Sequence, residues 1–181
     1  MSEPGWIEQV LHFWFEELQP QAWFAKDAQM DETIRRRFLP LYEQLAQHVP
    51  PVALSTARGV LAAVIVLDQF PRNMFRGSPQ AFATDDQALA IADQALRASL
   101  DRPLSPLQRQ FLCMPFQHSE DRATQVRSIE LFAGIGAATL DYAQRHKDII
   151  DRFGRFPHRN AVLGRPSTPD EVEFLKTHPG F

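Results

Sequence analysis

The stretch VLAAVIVLDQFPRN, residues 60–73, decides the fold of this chain of 181 residues. Residues 60–67 are all apolar, so a helix formed by them has no polar face to turn towards solvent. Such a helix has to lie in the centre of a bundle. The run is also too short to cross a bilayer, which takes about 20 apolar residues. The stretch therefore predicts a central helix that begins after a cap at Ser55 and ends near Phe70.

Apolar residues spaced three and four apart predict further helices around this one. Residues 4–18 carry a broad apolar stripe, and a second stripe over residues 30–45 predicts a helix that Pro40 bends. Residues 120–153 indicate one long helix or a broken pair. Three other helix starts show the capping-box pattern, in which Gln or Glu follows the capping residue by three positions. They are Thr84 with Gln87, Ser105 with Gln108, and Thr168 with Glu171.

No stretch alternates polar and apolar residues between turns, as a half-buried strand does. Short Pro- or Gly-containing turns separate the helical patterns, and no long linker divides the chain. We therefore predict an all-α protein, a bundle of antiparallel helical hairpins with about seven or eight helices. It is expected to form a single domain over residues 1–181.

The composition is that of an ordinary soluble protein, with 44% hydrophobic and 23% charged residues. A net charge of −3 is too balanced to indicate binding to nucleic acid. The first residues include Glu3 and no basic region, which argues against a secretory signal. A lone cysteine, Cys113, cannot form an intrachain disulfide, which favours a reducing compartment. We therefore expect a cytoplasmic protein that binds neither nucleic acid nor a membrane.

Two short motifs, FPRN (70–73) and FPHRN (156–160), share a phenylalanine, a proline, an arginine and an asparagine in the same order. Pro71 and Pro157 disfavour helical backbone at the preceding phenylalanine, so each is predicted to end a helix at a stiff corner. Polar side chains follow both corners and can aim into one shared pocket. They can equally cap their own helices, because arginine favours helix C-termini and asparagine closes turns. The residues are Arg72, Asn73, Arg76, Arg155, His158, Arg159 and Asn160.

Three further polar residues could carry chemistry. Asp68 directly follows the apolar run, and Arg72 lies four positions on, where side chains on one helical face meet. His118 is predicted on a corner between Pro115 and Ser119, close to Glu120, which makes it a candidate general base or a structural histidine. No metal-binding spacing of His, Cys and carboxylates on one face is present, so neither a metal nor a cofactor is predicted.

Three long motifs resemble a bacterial family known only as domain of unknown function family 924. They are LDQFPRNMFRG (67–77), MPFQHSED (114–121) and RFGRFPHRNAVLGRPSTPDE (152–171), and the likeness extends over residues 10–175. The resemblance implies an all-helical fold of the tetratricopeptide-repeat-like class. The family has no established activity, cofactor or substrate, so the resemblance assigns no catalytic role.

These residues support two functions and one purely structural explanation. In the first, the arginines and asparagines of both corners bind a small anionic molecule, and His118 or His158 moves a proton, oriented by Asp68 or Glu120. Such a site would suit a hydrolytic or acid–base enzyme. In the second, a helical groove holds a peptide or partner protein, as helical repeats commonly do. In the third, the same polar groups only fix the helix corners.

Overall fold

The computed structural model describes residues 3–180, and in this range the chain forms helices and turns without strands. This confirms the all-α bundle of about eight helices. The helices are α1 (Gly5–His12), α2 (Ala28–Gln47), α3 (Ala57–Val64), α4 (Phe70–Met74), α5 (Asp85–Arg97), α6 (Pro106–His118), α7 (Arg122–Ala133), α8 (Ala137–Phe153) and α9 (Pro169–Leu175). A π-helical turn, Ile65–Gln69, joins α3 to α4, so these segments form one continuous central helix.

The central helix is buried as its sequence predicts. Each residue from Val60 to Leu67 is at most 1% exposed. The helix begins one residue later than expected, because Thr56 and not Ser55 accepts the hydrogen bond from the amide of Gly59. Phe70 lies deep in the aromatic core, with its ring centroid 4.7 Å from that of Phe38 and 5.7 Å from that of Trp14.

The prediction that Pro71 ends this helix is wrong. The backbone of Phe70 is helical, with ψ −39°, and the chain continues through Pro71 to Met74. The π turn accommodates the proline, because the amide of Phe70 bonds to the carbonyl of Ile65, five residues back. At Pro157 the prediction is correct, since Phe156 is extended and α8 ends with Gly154 in the left-handed conformation, φ +70°.

Pro71 has no N–H, so the carbonyl of Leu67, four residues earlier, lacks its usual helical partner. The hydroxyl of Thr84 donates to this carbonyl at 2.5 Å. The side chain of Thr84 therefore does not cap α5, and the capping box predicted there is wrong. The bond between Thr84 and Leu67 instead fixes the start of α5 against the central helix.

The starts of helices α6, α7 and α9 determine how the C-terminal half of the chain is arranged. The capping boxes at Ser105 and Thr168 are confirmed. Residues 120–153 form a broken pair of helices, α7 and α8. Helix α6 passes through Pro115 and ends at His118, and Asp121 caps α7 in place of the predicted Ser119. As a result His118 lies at a helix end, where it faces the central helix.

We expect Thr84→Val to destabilise the protein by about 1–3 kcal/mol, because valine keeps the shape but leaves the buried Leu67 carbonyl without its donor. Thr139→Val is the matched control, since the Thr139 hydroxyl also donates to a carbonyl, that of Gly136, but at an exposed site. The control should change stability by no more than about 0.5 kcal/mol. Urea unfolding of both variants measures this, and equal losses would contradict the role given to Thr84.

Candidate functional site

The site is centred on Asp68, which lies in the π turn and is fully buried. Its Oδ1 lies 2.7 Å from Nδ1 of His118, and its Oδ2 accepts a hydrogen bond from Gln69 Nε2 at 2.6 Å. Burial acts to raise the pKa of Asp68, but the charge of Arg72 and the hydrogen bonds with His118 and Gln69 outweigh it and lower the pKa to about 2. Asp68 is therefore a buried, ionised carboxylate.

His118 is buried at the end of α6 and faces Asp68. Burial lowers the pKa of His118, and the nearby charge of Arg72 lowers it further, although Asp68 opposes both effects. The imidazole is therefore neutral at physiological pH. An ionised carboxylate only accepts hydrogen bonds, so we assign the proton to Nδ1 of His118. The lone pair then lies on Nε2, which can accept a proton from a ligand.

Arg72 fixes the start of α5 beside this pair. It donates to both carboxylate oxygens of Asp85, at 2.8 and 2.9 Å, and to the backbone carbonyl of Asp68 at 2.5 Å. The ion pair between Arg72 and Asp68 that the sequence suggests is also present, at 3.3 Å. These contacts occupy Arg72 inside the protein, and leave it little capacity to receive a ligand.

Arg159 is held differently. Its guanidinium lies over the rings of Phe82 and Phe156, each centroid 4.6 Å away, and it donates through Nη2 to the carbonyl of His118 at 3.0 Å. Nη1 lies 3.6 Å from Asp85, beyond hydrogen-bond distance, and the buried Nε has no hydrogen-bond partner among the described residues. Burial and the charge of Arg72 lower the pKa of Arg159 to about 10. It is therefore still a cation at neutral pH.

A cavity of about 290 Å³ opens beside these groups, between α5, α6 and the segment that follows α8. Its apolar lining includes Phe82 and Leu163. Its titratable lining residues are Asp85, Asp86, His118, Glu120 and Arg159. His118 lines this cavity, and its Nδ1 contacts Asp68 in the interior. The cavity can therefore bring a ligand against both a neutral histidine and an under-satisfied arginine.

Glu120 lies at the rim of the cavity but is already engaged. Arg165 donates to its two carboxylate oxygens at 2.7 and 3.0 Å, and the amide of Phe156 donates at 2.7 Å. Burial acts to raise the pKa of Glu120, and the hydrogen bonds from Arg165 and Phe156 outweigh it and lower the pKa. Glu120 thus connects the start of α7 to the C-terminal segment, and it is less suited to proton transfer than His118.

Four of the predicted ligand-binding residues point away from the cavity. Asn73 and Arg76 both donate to Asp31 on α2, at 2.7–2.8 Å. On the C-terminal side, Arg155 forms a two-point ion pair with Glu171 at 2.7 and 2.8 Å, and Asn160 donates to the same carboxylate at 3.2 Å. These contacts fix α2 and α9 to the two corners. Of the polar residues predicted from the two proline motifs, Arg159 is the one that lines the cavity.

His158 is placed near the site but does not line the cavity. Its ring centroid lies 5.7 Å from that of Phe156, and burial together with the charge of Arg159 lowers the pKa of His158 to about 4. Of the four candidate catalytic residues, His118 and Glu120 therefore border the cavity, Asp68 lies directly behind His118, and His158 lies outside.

Asp85 was missed by sequence reasoning, although it joins Arg72 to the neighbourhood of Arg159. In the sequence it is one of two aspartates at the start of a helix, where acidic residues are common. Only the packing of α5 against the central helix brings Asp85 to Arg72.

Across residues 3–180, no cluster of three or more His, Cys, Asp or Glu side chains is arranged to hold a metal ion. Within the same residues, no helix is both long and apolar enough to span a membrane.

Comparison with known proteins gives a family without a known activity. No curated protein matches the chain significantly. A solved structure of a protein of unknown function from Agrobacterium tumefaciens is similar, with a TM-score of 0.91 and 39% sequence identity over 96% of this chain and 98% of that one. A family model described as a bacterial protein of unknown function, DUF924, matches residues 10–179. The chain therefore belongs to the DUF924 family.

Proposed function

We propose that the protein binds a small anionic molecule in the cavity and that His118 acts on it as a general base, oriented by Asp68. The observation that supports this most directly is the 2.7 Å contact between Asp68 and His118 at the wall of the cavity. A buried carboxylate bonded to Nδ1 of a histidine holds the ring in the tautomer that accepts a proton at Nε2. It also stabilises the imidazolium that forms when the proton is taken.

Arg159 supports the anionic character of the ligand. A guanidinium has five donors, and that of Arg159 makes one hydrogen bond among the described residues although it is buried. A ligand carboxylate or phosphate near Nη1 would give this nitrogen an acceptor at hydrogen-bond distance, which Asp85 at 3.6 Å does not. The aromatic rings on either side hold the guanidinium in place, so little ordering is needed on binding.

The size of the cavity favours a small molecule over a peptide or protein partner. Its volume of about 290 Å³ lies at the lower end of the range for small-molecule sites, about 300–1,000 Å³. The interaction scaffold therefore remains the second candidate.

Proton exchange in D₂O tests this proposal. A panel of small carboxylates and phosphates would first be screened by thermal shift, where a ligand at a hundredfold excess over its Kd stabilises by about 2.7 kcal/mol. The ligands that bind would then be incubated in D₂O and followed by ¹H NMR for loss of C–H signals. We expect His118→Gln to slow the exchange by about 10²–10⁴-fold while the ligand still binds.

The exchange rate of the parent protein should be constant near neutral pH and fall only in acid, because the pKa of His118 is lowered.

His12→Gln is the matched control, because His12 also pairs with a carboxylate, that of Glu16 at 2.9 Å, but on the surface. It should leave the exchange rate unchanged. Binding without any exchange that depends on His118 would exclude the role as general base. The absence of stabilisation by every anion in the panel would exclude the anionic ligand.

A further inference from the structure

We propose that the ligand of this cavity carries a linear apolar tail, which lies in a groove along α5. The inference rests on the proposed function, because the anionic head of the same molecule is the group that would bind near Arg159. It adds a second binding region and narrows the ligand class to straight-chain amphiphiles with one anionic end.

The groove adjoins the cavity. It has a volume of about 400 Å³, and Asp86 and Leu89 of α5 border both spaces. Further residues of α5 that line the groove follow at positions 90, 93 and 97, which lie on one face of a helix. At a rise of 1.5 Å per residue, the face from Asp86 to Arg97 extends for about 16 Å. The groove therefore runs from the site of His118 towards the far end of α5.

The walls of the groove suit an apolar chain. Leu89 and Ala90 line it on α5, and Phe116 on α6 and Ala123 on α7 line it on the other side. Phe116 is almost fully buried, so the apolar surface that the groove exposes comes mainly from Leu89, Ala90 and Ala123. A flexible hydrocarbon chain placed against these residues would remove apolar surface from water on both sides.

The charged residues of the groove do not form a second anion site. Arg97 is paired with Asp93 and Arg127 with Glu130, both at 2.7 Å. A neutral, apolar tail is therefore a better match for the groove than a second phosphate or carboxylate.

Arg159 and Leu89 mark the two parts of the ligand. Arg159 borders the cavity but not the groove, whereas Leu89 borders both. A molecule with its anionic head at Arg159 would thus pass Leu89 before its tail enters the groove. Chain length should matter for affinity, since each further methylene adds contact with the groove.

Calorimetric titration of straight-chain carboxylates, from butanoate to decanoate, and of the matching alkyl phosphates tests the inference. We expect affinity to rise with chain length by up to about fourfold per buried methylene, and to level off when the groove is full. All ligands would be kept below the concentrations at which they aggregate. Arg159→Met should weaken every member of the series by a similar factor, because it removes only the head site.

Ala123→Trp is designed to fill the groove from an exposed position of α7. It should reduce the affinity for octanoate to that for butanoate and leave butanoate binding unchanged. Ala138→Trp, at an equally exposed alanine on α8 outside the groove, is the control and should alter neither. Ala90→Trp provides a second block from α5, so that the test stands if one variant does not fold.

The possible outcomes separate this inference from the proposed function. If short anions bind through Arg159 but chain length has no effect, the tail site is excluded and the cavity site stands. If the effect of chain length persists in both Ala123→Trp and Ala90→Trp, the tail lies elsewhere and the groove is excluded as its site. If no member of either series binds, the anionic cavity site fails as well.

Discussion

Asp68→Ala should lower the free energy of unfolding by about 3–5 kcal/mol, the expected cost of removing one partner from a buried ion pair. The variant loses the hydrogen bond to His118 and leaves Arg72 with one carboxylate where it had two. It also removes the acceptor for Gln69 in a part of the core that water does not reach. Urea unfolding followed by circular dichroism measures the loss.

The exposed pair formed by Asp93 and Arg97 provides a matched control. Like Asp68 and Arg72 it joins an aspartate to an arginine four residues on, but at the surface. Asp93→Ala should therefore cost no more than about 1 kcal/mol. Similar losses in the two variants would show that burial adds nothing to the pair at Asp68.

The pH dependence of the same loss gives a second check. Because the pKa of Asp68 is lowered in the folded state, its stabilisation is complete above its ordinary pKa of 3.8 and is lost as the pH falls towards 2. The difference between parent and variant should accordingly be constant above pH 3.8 and shrink below it. A difference that grows on acidification would contradict an ionised Asp68.

Gly59→Ala should destabilise the protein by about 3 kcal/mol or more, although alanine is the better helix former by about 1 kcal/mol. A Cβ at position 59 would lie 2.8 Å from the carbonyl carbon and 2.9 Å from the Cα of Ala53, and closer still to its oxygen. These are backbone atoms, so no side chain can rotate to relieve the overlap. The turn Ala53–Ser55 would have to move away from the central helix.

Gly5→Ala is the control for Gly59, since a Cβ at position 5 meets no other atom within 4 Å. It should be neutral or slightly stabilising, because alanine restricts the unfolded chain more than glycine does. Thermal unfolding of the two variants separates the clash from the loss of a glycine. Equal melting temperatures would mean that the turn Ala53–Ser55 moves away from the added Cβ at little cost in stability.

The sequence predicts the fold well because its main signals are local or follow from burial. An all-apolar run has to be central, whatever surrounds it, and the Val60–Leu67 segment is. The capping boxes at Ser105 and Thr168 act within four residues, and both form. The rule for Pro71 is also local, but it fails because anchoring Phe70 in the aromatic core outweighs the preference against helical backbone there.

The site is predicted less completely because it depends on which face of each helix meets which neighbour. Arg72 and Arg159, from the two proline motifs, both lie near Asp85, but of the two Arg159 alone lines the cavity. Asn73 and Arg76 lie further along the same helix and face α2. Neither their separate orientation nor the role of Asp85 can be read from spacing, since both depend on contacts between residues far apart in the chain.

The π turn Ile65–Gln69 has a consequence for local motion. Its carbonyls at Leu67 and Asp68 are satisfied by the side chains of Thr84 and Arg72, so the irregular segment is held from outside the regular helical ladder. Opening this turn would break the contacts that hold the start of α5 and free the partner of His118 at the same time. We therefore expect amide hydrogen exchange here to require the cooperative opening of the core, which would make the contact between Asp68 and His118 as long-lived as the folded state.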